Sequence, residues 1–430
     1  MIDFVVIFAQ AFDVCHREAS KKLWRSISPY KILRQLLKSY NVLRALDKEM
    51  DCFAFARNDG VCFKLMYSFV IMTLLFSFVS CSKPSEQLDK KNIFLENLAS
   101  QENNQAYAKA IKIIDFNFPK DHGPHEAFKT EWWYLTGNLK SIEKDFGYQF
   151  TIFRNNIAPE LDPSNAWETK NIFMGHMGLS DLNSKKFYSF ERFEREALEL
   201  AGTQSQPFKV RLNHWYIKSQ TKEIFPLEIS AMENGIGYKL KVIALKNKVL
   251  QGDKGLSQKS KEIGNASYYY SYTRLKTVGT VFIKDKSYDV SGLSWMDREW
   301  STSALGKDQV GWDWFSLQFD DNTELMIYQL RNKDGSVDEF SSGAFIDKEG
   351  KKINLNLGDF KLKALDYWTN ESGAKFPIKW KLDIPRYDMS LVVSTELKNQ
   401  MHNFSIPYWE GAVRVSGSKT GLGYLEMTGY

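Results

Sequence analysis

Alternation between apolar and polar residues with a period of two runs through most of the sequence from Ile111 onward. It is clear at 148–154 (YQFTIFR) and 324–331 (ELMIYQLR), and such segments are separated by clusters of polar residues and Gly, as at 320–322 and 347–350. Neighbouring side chains of a strand point to opposite faces of a sheet, so this pattern predicts half-buried strands joined by turns. Long windows of helical period are nearly absent. The sequence therefore predicts an all-β fold, mostly antiparallel.

The strand-rich region contains an internal repeat. The motif Trp-Trp-Tyr-Leu at 132–135 resembles Trp-Asp-Trp-Phe at 312–315, and each is followed by a turn and an alternating segment that ends in Arg-Asn. Further on, 178–186 resembles 343–352, in the same order. Short strands often match by chance, but the shared order favours two related antiparallel β-barrels, or strongly bent sheets, in tandem. Closing the sheets would also remove exposed edge strands.

All four cysteines lie near the N-terminus, at Cys15, Cys52, Cys62 and Cys81. Their position excludes a disulfide-stapled fold and a Cys-ligated zinc site in the strand-rich region. Residues 65–80 are uncharged and apolar, short for a spanning helix of ~20 residues but suited to the apolar region of a signal peptide. Together with Ser80 and Cys81 they resemble a bacterial lipoprotein signal, which implies lipidation of Cys81. The alternative is a short buried helix that ends in an ordinary cysteine.

These features predict five segments. Residues 1–60 are an over-long gene start or a basic leader, 61–80 a lipoprotein signal peptide, and 81–109 a lipid anchor with a polar tether; 110–288 and 289–430 form the two barrels. Ser after the lipidated cysteine, by resemblance to enteric lipoproteins, predicts an outer-membrane location facing the periplasm.

The leader admits a second interpretation. Residues 31–50 have the apolar pattern of an amphipathic helix. They could form a genuine cytoplasmic helix, with 65–80 as a short membrane anchor.

The net charge of +5 is concentrated in the leader. Residues 1–65 hold 11 Lys and Arg against 7 Asp and Glu, whereas the remaining chain holds 46 against 45. The strand-rich region is therefore nearly neutral and has no compact basic stripe, which argues against a nucleic-acid partner.

Tryptophans and carboxylates alternate in two motifs. Trp312 and Trp314 share one strand face, and Trp295, Asp297 and Glu299 share another. A carboxylate among rings inside a barrel is poorly solvated, which raises its pKa and lets it donate a proton to an alkene or enol. The alternative is that Asp297 belongs to a structural turn or ion-pair network. The residues alone favour that structural role.

The segment 121–125 (Asp-His-Gly-Pro-His), with Glu131 after it, is the best candidate for a metal cluster. Gly-Pro between the histidines prevents a helical pair and no third His lies nearby, so we expect no metal site and favour an entrance loop or an acid–base role for His125.

A Gly-x-Ser-x-Gly elbow, a P-loop and a dinucleotide fingerprint are absent from the sequence. No cofactor is therefore expected.

The motifs together resemble the AttH and carotenoid 1,2-hydratase family, whose members are lipocalin-like and often described as predicted secreted hydrolases. The resemblance spans about residues 110–430 and rests on DHGPH at 121–125, TEWWYLTGNL at 130–139, GNASYYYS at 264–271, WMDREW at 295–300, QVGWDWF at 309–315 and GYLEMTGY at 423–430. It implies two lipocalin-like (calycin) barrels in tandem around an apolar ligand cavity.

The resemblance also suggests residue roles. In the hydratases an Asp after an aromatic residue donates a proton, and Asp297 matches that position. Where the hydratases have a His-x-Trp pair, this chain has Tyr at 268–270, so the groups around the acid differ. The expected catalytic residues are Asp297, Tyr269 and His125, and the expected ligand-binding residues are Glu131, Trp133, Trp295, Trp312, Trp314 and Tyr328.

Two functions remain open from the sequence. One is a lipid-anchored envelope protein that binds an apolar isoprenoid or acyl ligand; the AttH branch implies ABC transporter subunits as partners. The other is a hydratase or isomerase in which Asp297 protonates an alkene without metal or nucleotide.

Overall fold

The computed structural model describes residues 106–430 except 162, 163, 165, 166, 303 and 304. The predicted leader, signal peptide, lipidated Cys81 and most of the tether lie outside these residues. The predicted all-β fold with two antiparallel sheets is confirmed.

The first sheet has thirteen strands and curls into a nearly closed barrel. Its strands are β1 (Thr130–Lys140), β2 (Asp145–Asn156), β3 (Asn171–Asp181), β4 (Lys186–Arg195), β5 (Ala201–Gln204), β6 (Lys209–Leu212), β7 (Trp215–Ser219), β8 (Leu227–Glu233), β9 (Ile236–Ala244), β10 (Val249–Leu250), β11 (Leu256–Gln258), β12 (Ala266–Ile283) and β13 (Lys286–Ser301). The pairing order is β4-β3-β2-β1-β13-β12-β9-β8-β7-β6-β5, and β10 and β11 pair with β12.

The second sheet has ten strands and forms a curled half-barrel. Its strands are β14 (Gln309–Phe319), β15 (Glu324–Asn332), β16 (Ser342–Ile346), β17 (Lys352–Asn356), β18 (Lys361–Thr369), β19 (Lys375–Ile384), β20 (Met389–Ser394), β21 (Met401–His402), β22 (Tyr408–Gly417) and β23 (Gly421–Met427). The order is β17-β16-β15-β14-β23-β22-β20-β19-β18, and β21 pairs with β22.

Helical structure in the described residues is confined to short 3-10 turns, at Lys120–His122, Ala197–Glu199, Leu357–Asp359 and Pro385–Tyr387. No helix in this part of the chain has the length and apolar character needed to cross a membrane.

The internal repeat is a repeat of topology. β1 to β4 form an antiparallel meander at one end of the first sheet, and β14 to β17 form the same meander in the second. In each sheet the first strand of the meander also pairs with the last strand of that sheet, β13 or β23. The motifs at 132–135 and 312–315 therefore occupy equivalent strands.

The predicted boundary between 288 and 289 falls inside β13. Residues 284 and 285 are the turn of the β12–β13 hairpin, and both strands lie in the middle of the first sheet. The chain leaves the first sheet after Ser301 and enters the second at Gln309. A local turn signal cannot distinguish a hairpin from a boundary between sheets, because both are short and polar.

Three apolar clusters stabilise the fold. One fills the first sheet and one fills the second. The third contains residues of both sheets, among them Tyr134, Trp295, Trp314 and Tyr424. The two sheets therefore pack against each other through a mostly aromatic layer.

Candidate functional site

A cavity of about 150 Å³ lies between the two sheets. A single buried water needs only ~10–15 Å³ by the same measure, so the cavity has room for a small organic molecule. Strands of both sheets and the segment just before β22 contribute its walls.

The first sheet contributes two rows of side chains. Residues paired directly across antiparallel strands share a face, so each row follows from the strand register. The rows are His176, Thr151, Tyr134 and Asp297, from β3, β2, β1 and β13, and Phe153, Trp132, Glu299 and Tyr269, from β2, β1, β13 and β12.

The second sheet contributes the facing wall by the same rule. Glu410, Glu426, Trp314 and Tyr328 are successive partners across β22, β23, β14 and β15, and Trp312 is paired with Leu330 beside them. The rings of Tyr134 and Trp314 meet edge to face, with centroids 5.3 Å apart. The two copies of the repeat therefore face each other across the cavity.

Asp297 is buried, and both of its oxygens accept hydrogen bonds. Ser271 Oγ and Trp295 Nε1 donate to Oδ1 at 2.5 and 2.7 Å, and the Tyr269 hydroxyl donates to Oδ2 at 2.6 Å. Burial raises the Asp297 pKa to about 7, although these three donors oppose the rise. The carboxyl is therefore poised to hold or release a proton near neutral pH.

Two more buried carboxyls face the cavity from the second sheet. Glu426 accepts a hydrogen bond from Trp312 Nε1 at 2.9 Å, and burial raises its pKa to about 7. Glu410 accepts one from the Tyr134 hydroxyl at 2.5 Å. Burial and the nearby Glu426 charge raise the Glu410 pKa well above its usual range. Near neutral pH the cavity wall therefore carries far less negative charge than its composition suggests.

The fourth carboxyl, Glu299, is paired. It accepts a hydrogen bond from Ser267 and lies 3.3 Å from Lys259 Nζ. Lys259 also lies over the ring of Tyr328, 4.5 Å from its centroid. Charge at this end of the cavity is therefore balanced.

His176 occupies the other end. Its Nδ1 is 2.9 Å from the Tyr408 hydroxyl and its Nε2 is 3.3 Å from Glu191. Burial lowers the His176 pKa, although Glu191 opposes the shift, so the imidazole is neutral at pH 7.

The predicted site residues divide into two groups. Tyr269, Asp297, Trp312, Trp314 and Tyr328 line the cavity. Trp295 supports it by its hydrogen bond to Asp297 and its edge-to-face contact with Trp314, whose centroid is 6.3 Å away.

The structure places Glu131, Trp133 and His125 away from the cavity. Glu131 and Trp133 are odd-numbered residues of β1, which point into the barrel core, and His125 precedes this strand. Glu131 forms buried ion pairs with Arg154 and Arg298. Trp133 lies in the core of the first sheet, with the Arg298 guanidinium 4.1 Å from its ring centroid.

His125 belongs to the same structural unit. It stacks on Trp300 at 3.7 Å between centroids and lies 3.3 Å from Glu131. His122, the other histidine of the suspected metal segment, bonds to the Tyr270 hydroxyl at 2.5 Å. The two imidazoles thus have different partners, and no group of three metal-ligating side chains occurs in the described residues.

Several cavity residues were not selected from the sequence, although two signals were present. In the first signal, the alignment of the two repeat copies matches Trp132 with Trp312 and Tyr134 with Trp314. This match assigns the even-numbered residues of β1 to the cavity. Glu410 follows Tyr408 and Trp409 in an aromatic group, but only the register of β22 against β23 shows that it meets Glu426.

The arrangement combines an aromatic wall with acids that hold protons near neutral pH. It can exclude water from an apolar molecule, donate hydrogen bonds to it, and deliver a proton from Asp297. Aromatic faces around that carboxyl could also stabilise a developing cation.

Comparison with known proteins identifies the family. The AttH-like family matches residues 109–430. A crystal structure of a protein assigned to AttH from Nitrosomonas europaea is similar to this chain, with 28% identity and a TM-score of 0.67, over 75% of this chain and 99% of that one.

The crystal structure of kievitone hydratase from Nectria haematococca is also similar, with 14% identity and a TM-score of 0.57, over 76% of this chain and 96% of that one. At 14% sequence identity, the similarity between this chain and kievitone hydratase is a similarity of fold alone. None of the curated proteins matches the chain. The match over most of the sequence, together with the two-sheet architecture, shows that this chain belongs to the AttH-like family.

Proposed function

We propose that this protein binds an apolar small molecule in the cavity between its two sheets. The observation that carries the proposal is the wall itself, where Trp132, Trp312 and Trp314 converge from both sheets around carboxyls whose pKa burial raises to about 7. A buried site lined by rings with a few convergent polar groups is the usual form of a small-molecule pocket. An isoprenoid or acyl ligand fits this chemistry.

The proposal includes a location and partners. Cys81, with the apolar run before it, supports a lipid-anchored protein in the bacterial envelope, on the periplasmic face of the outer membrane. Residues 82–109 would tether the ligand-binding region to the membrane. ABC transporter subunits are the partners that such a ligand carrier would serve. The nearly neutral net charge of the chain after residue 65 argues against nucleic acid as a partner.

Removal of one cavity ring tests the binding proposal. We expect Trp312→Ala in the full chain to weaken binding of N-phenyl-1-naphthylamine, a neutral lipophilic fluorophore, about 10- to 100-fold, because central aromatic contacts dominate such sites. Trp167→Ala is the matched control, since Trp167 is exposed and lies outside the cavity. Fluorescence titration measures both. Unchanged affinity in Trp312→Ala, or an equal loss in Trp167→Ala, would contradict binding in this cavity.

A second candidate function is acid-catalysed hydration, favoured by Asp297. A carboxyl with a pKa of about 7 beside aromatic faces can transfer its proton to an alkene carbon and leave a carbocation at the other carbon. Water then adds to the cation and returns one proton to the Asp297 carboxylate, so the net reaction is alkene plus water to alcohol. Kievitone hydratase shows that a protein named as a hydratase shares this fold.

The hydration candidate makes its own prediction. In water labelled with ¹⁸O, the full chain should introduce the label into the molecule that co-purifies with it, and Asp297→Asn should lower that rate at least ~100-fold because the proton donor is lost. Mass spectrometry measures the label, and the unfolding midpoint in urea checks that the variant is folded. A folded Asp297→Asn variant with unchanged labelling would eliminate Asp297 as the acid. Should the variant unfold instead, Asp297 has the structural role that the sequence first favoured.

A further inference from the structure

Residues 403–407 connect β21 to β22 and form a part of the cavity wall that lies outside the strands. Ile406 and Pro407 line the cavity, whereas Asn403 and Ser405 are exposed to solvent. The segment thus has one side toward the cavity and one toward solvent, and it separates the two. Most other lining residues lie on strands of the two sheets, where backbone hydrogen bonds hold them in place.

Glu191 connects this segment to the first sheet. It lies on β4 directly opposite His176, so it extends the cavity row that contains His176 by one strand. The Ser405 hydroxyl donates to Glu191 Oε1 at 2.6 Å, and the Ser405 backbone N–H points at both carboxylate oxygens, with distances of 3.1 Å to Oε2 and 3.3 Å to Oε1. Glu191 does not itself line the cavity. Its contact with the cavity wall is therefore made through Ser405.

The contacts on either side of Ser405 involve His176. Its Nε2 is 3.3 Å from Glu191, its Nδ1 is 2.9 Å from the Tyr408 hydroxyl, and its ring lies 4.6 Å from that of Phe404 between centroids. Burial alone would raise the Glu191 pKa, but contacts with His176 and Ser405 lower it below the usual value of a glutamate. Glu191 is therefore a carboxylate at neutral pH, and its hydrogen bonds with Ser405 are charge-assisted.

The junction between β4 and residues 403–407 is made by side chains. β4 is the terminal strand of the first sheet and pairs with β3. Within the part of the chain that the structure describes, no backbone-to-backbone hydrogen bond joins residues 403–407 to the first sheet. Segments held by few contacts open at a lower free-energy cost than paired strands. The cavity wall can therefore open at this junction without disruption of either sheet.

We propose that Glu191 is a positioning residue that holds residues 403–407 over the cavity, and that the ligand enters and leaves where the contact between Glu191 and Ser405 opens. The inference rests on the proposed function, because it describes how a molecule reaches the same cavity. Glu191 acts through Ser405 on the position of Ile406 and Pro407, and it does not contact the ligand.

Binding kinetics of N-phenyl-1-naphthylamine test the inference. Stopped-flow fluorescence with the full chain measures the association and dissociation rates separately. Glu191→Ala should raise both rates about tenfold, since it removes all the hydrogen bonds that Ser405 makes to a charged acceptor. The Kd should change by less than about threefold, because the open segment becomes more accessible both with and without the ligand.

Two further variants grade the effect. Ser405→Ala removes the hydroxyl donor and keeps the backbone N–H, so it should raise both rates by about threefold. Ser405 is exposed, and this variant keeps the test decisive if Glu191→Ala fails to fold. Glu191→Gln retains an acceptor oxygen for Ser405 without the charge, and its rates should lie between those of the wild type and Glu191→Ala.

Glu194→Ala is the matched control. Glu194 lies on the same strand, β4, and accepts a hydrogen bond from Asn213 Nδ2 at 2.7 Å, outside the segment. This variant should leave both rates unchanged.

The outcomes separate the inference from the proposed function. Unchanged rates in a folded Glu191→Ala or in Ser405→Ala would show that the ligand uses another route. A faster dissociation with unchanged association would show that Glu191 stabilises only the bound state, and an equal change in Glu194→Ala would show general loosening of β4. Each of these results overturns the role of Glu191 and leaves the binding proposal intact. If the wild type does not bind the fluorophore, the proposed function and this inference fail together.

Discussion

Glu131→Gln is expected to lower the free energy of unfolding by about 3–5 kcal/mol at pH 7, which is the usual cost of removing one partner from a buried ion pair. Glu131 is fully buried and is the shared partner of Arg154 and Arg298, which are themselves buried. Without its charge, two guanidinium groups remain in the core of the first barrel and only neutral groups are left to pair with them. A domain has only ~5–15 kcal/mol of stability, so the loss is a large part of the total.

The same ion pairs define a pH dependence. The two arginines hold the Glu131 pKa far below its usual range, although burial alone would raise it. The stability that Glu131 contributes is therefore present above the pKa of an unfolded glutamate, ~4.3, and is lost as the pH falls below it.

Urea unfolding followed by tryptophan fluorescence measures the effect. Glu143→Gln is the matched control, because Glu143 is exposed in the turn between β1 and β2 and should change stability by less than ~0.5 kcal/mol. A loss below about 1 kcal/mol in Glu131→Gln would mean that the arginines find other compensation, and the assignment of Glu131 as the centre of this core would be wrong.

Asp297→Asn is expected to make the protein more stable than the wild type at pH 8, and no more stable at pH 4. The folded Asp297 has a pKa of about 7 against ~3.9 for an unfolded aspartate, so between these values the folded state binds a proton that the unfolded state lacks. Stability from this group is complete below pH ~4 and is lost as the pH rises through 7. Asparagine carries no titrating proton, so the variant avoids that loss.

The size of the effect follows from linkage. Three pKa units at 1.36 kcal/mol each set an upper limit of about 4 kcal/mol, and imperfect replacement of the three hydrogen bonds to Asp297 reduces it to an expected ~1–4 kcal/mol. Urea midpoints at pH 4, 6 and 8 measure the difference. Asp308→Asn makes the same change at an exposed position and should follow the wild type at every pH. A constant difference between Asp297→Asn and the wild type across this range would show that the Asp297 pKa is not raised.

Alternation in the sequence predicts much of this fold because it assigns residues to common faces. It places Trp312 with Trp314, and Asp297 with Glu299, and the structure confirms both pairs on the cavity side. The repeat likewise predicts two related sheets, which share their topology.

The choice of face could not be made from alternation in β1. Both faces of this strand are buried, one against the barrel core and one against the second sheet. Large apolar side chains therefore occur on both faces, and the sequence does not show whether Trp132 or Trp133 faces the cavity. The sequence therefore could not show that Trp133 and Glu131 lie on the face of β1 that is turned away from the cavity. The chemistry of Glu410 depends on contacts with Tyr134 and Glu426, and the Tyr134 contact joins strands 276 residues apart in sequence. Only tertiary structure supplies such a contact.

The central claim, that the cavity between the sheets binds an apolar small molecule, is tested most directly by the molecule that the protein carries. The full chain and its Trp312→Ala variant are purified under the same conditions, extracted with organic solvent and compared by mass spectrometry. The account predicts an apolar compound in stoichiometric amount with the wild type and strongly reduced in the variant. A wild-type extract that contains no apolar compound, or one that Trp312→Ala retains in full, would contradict it.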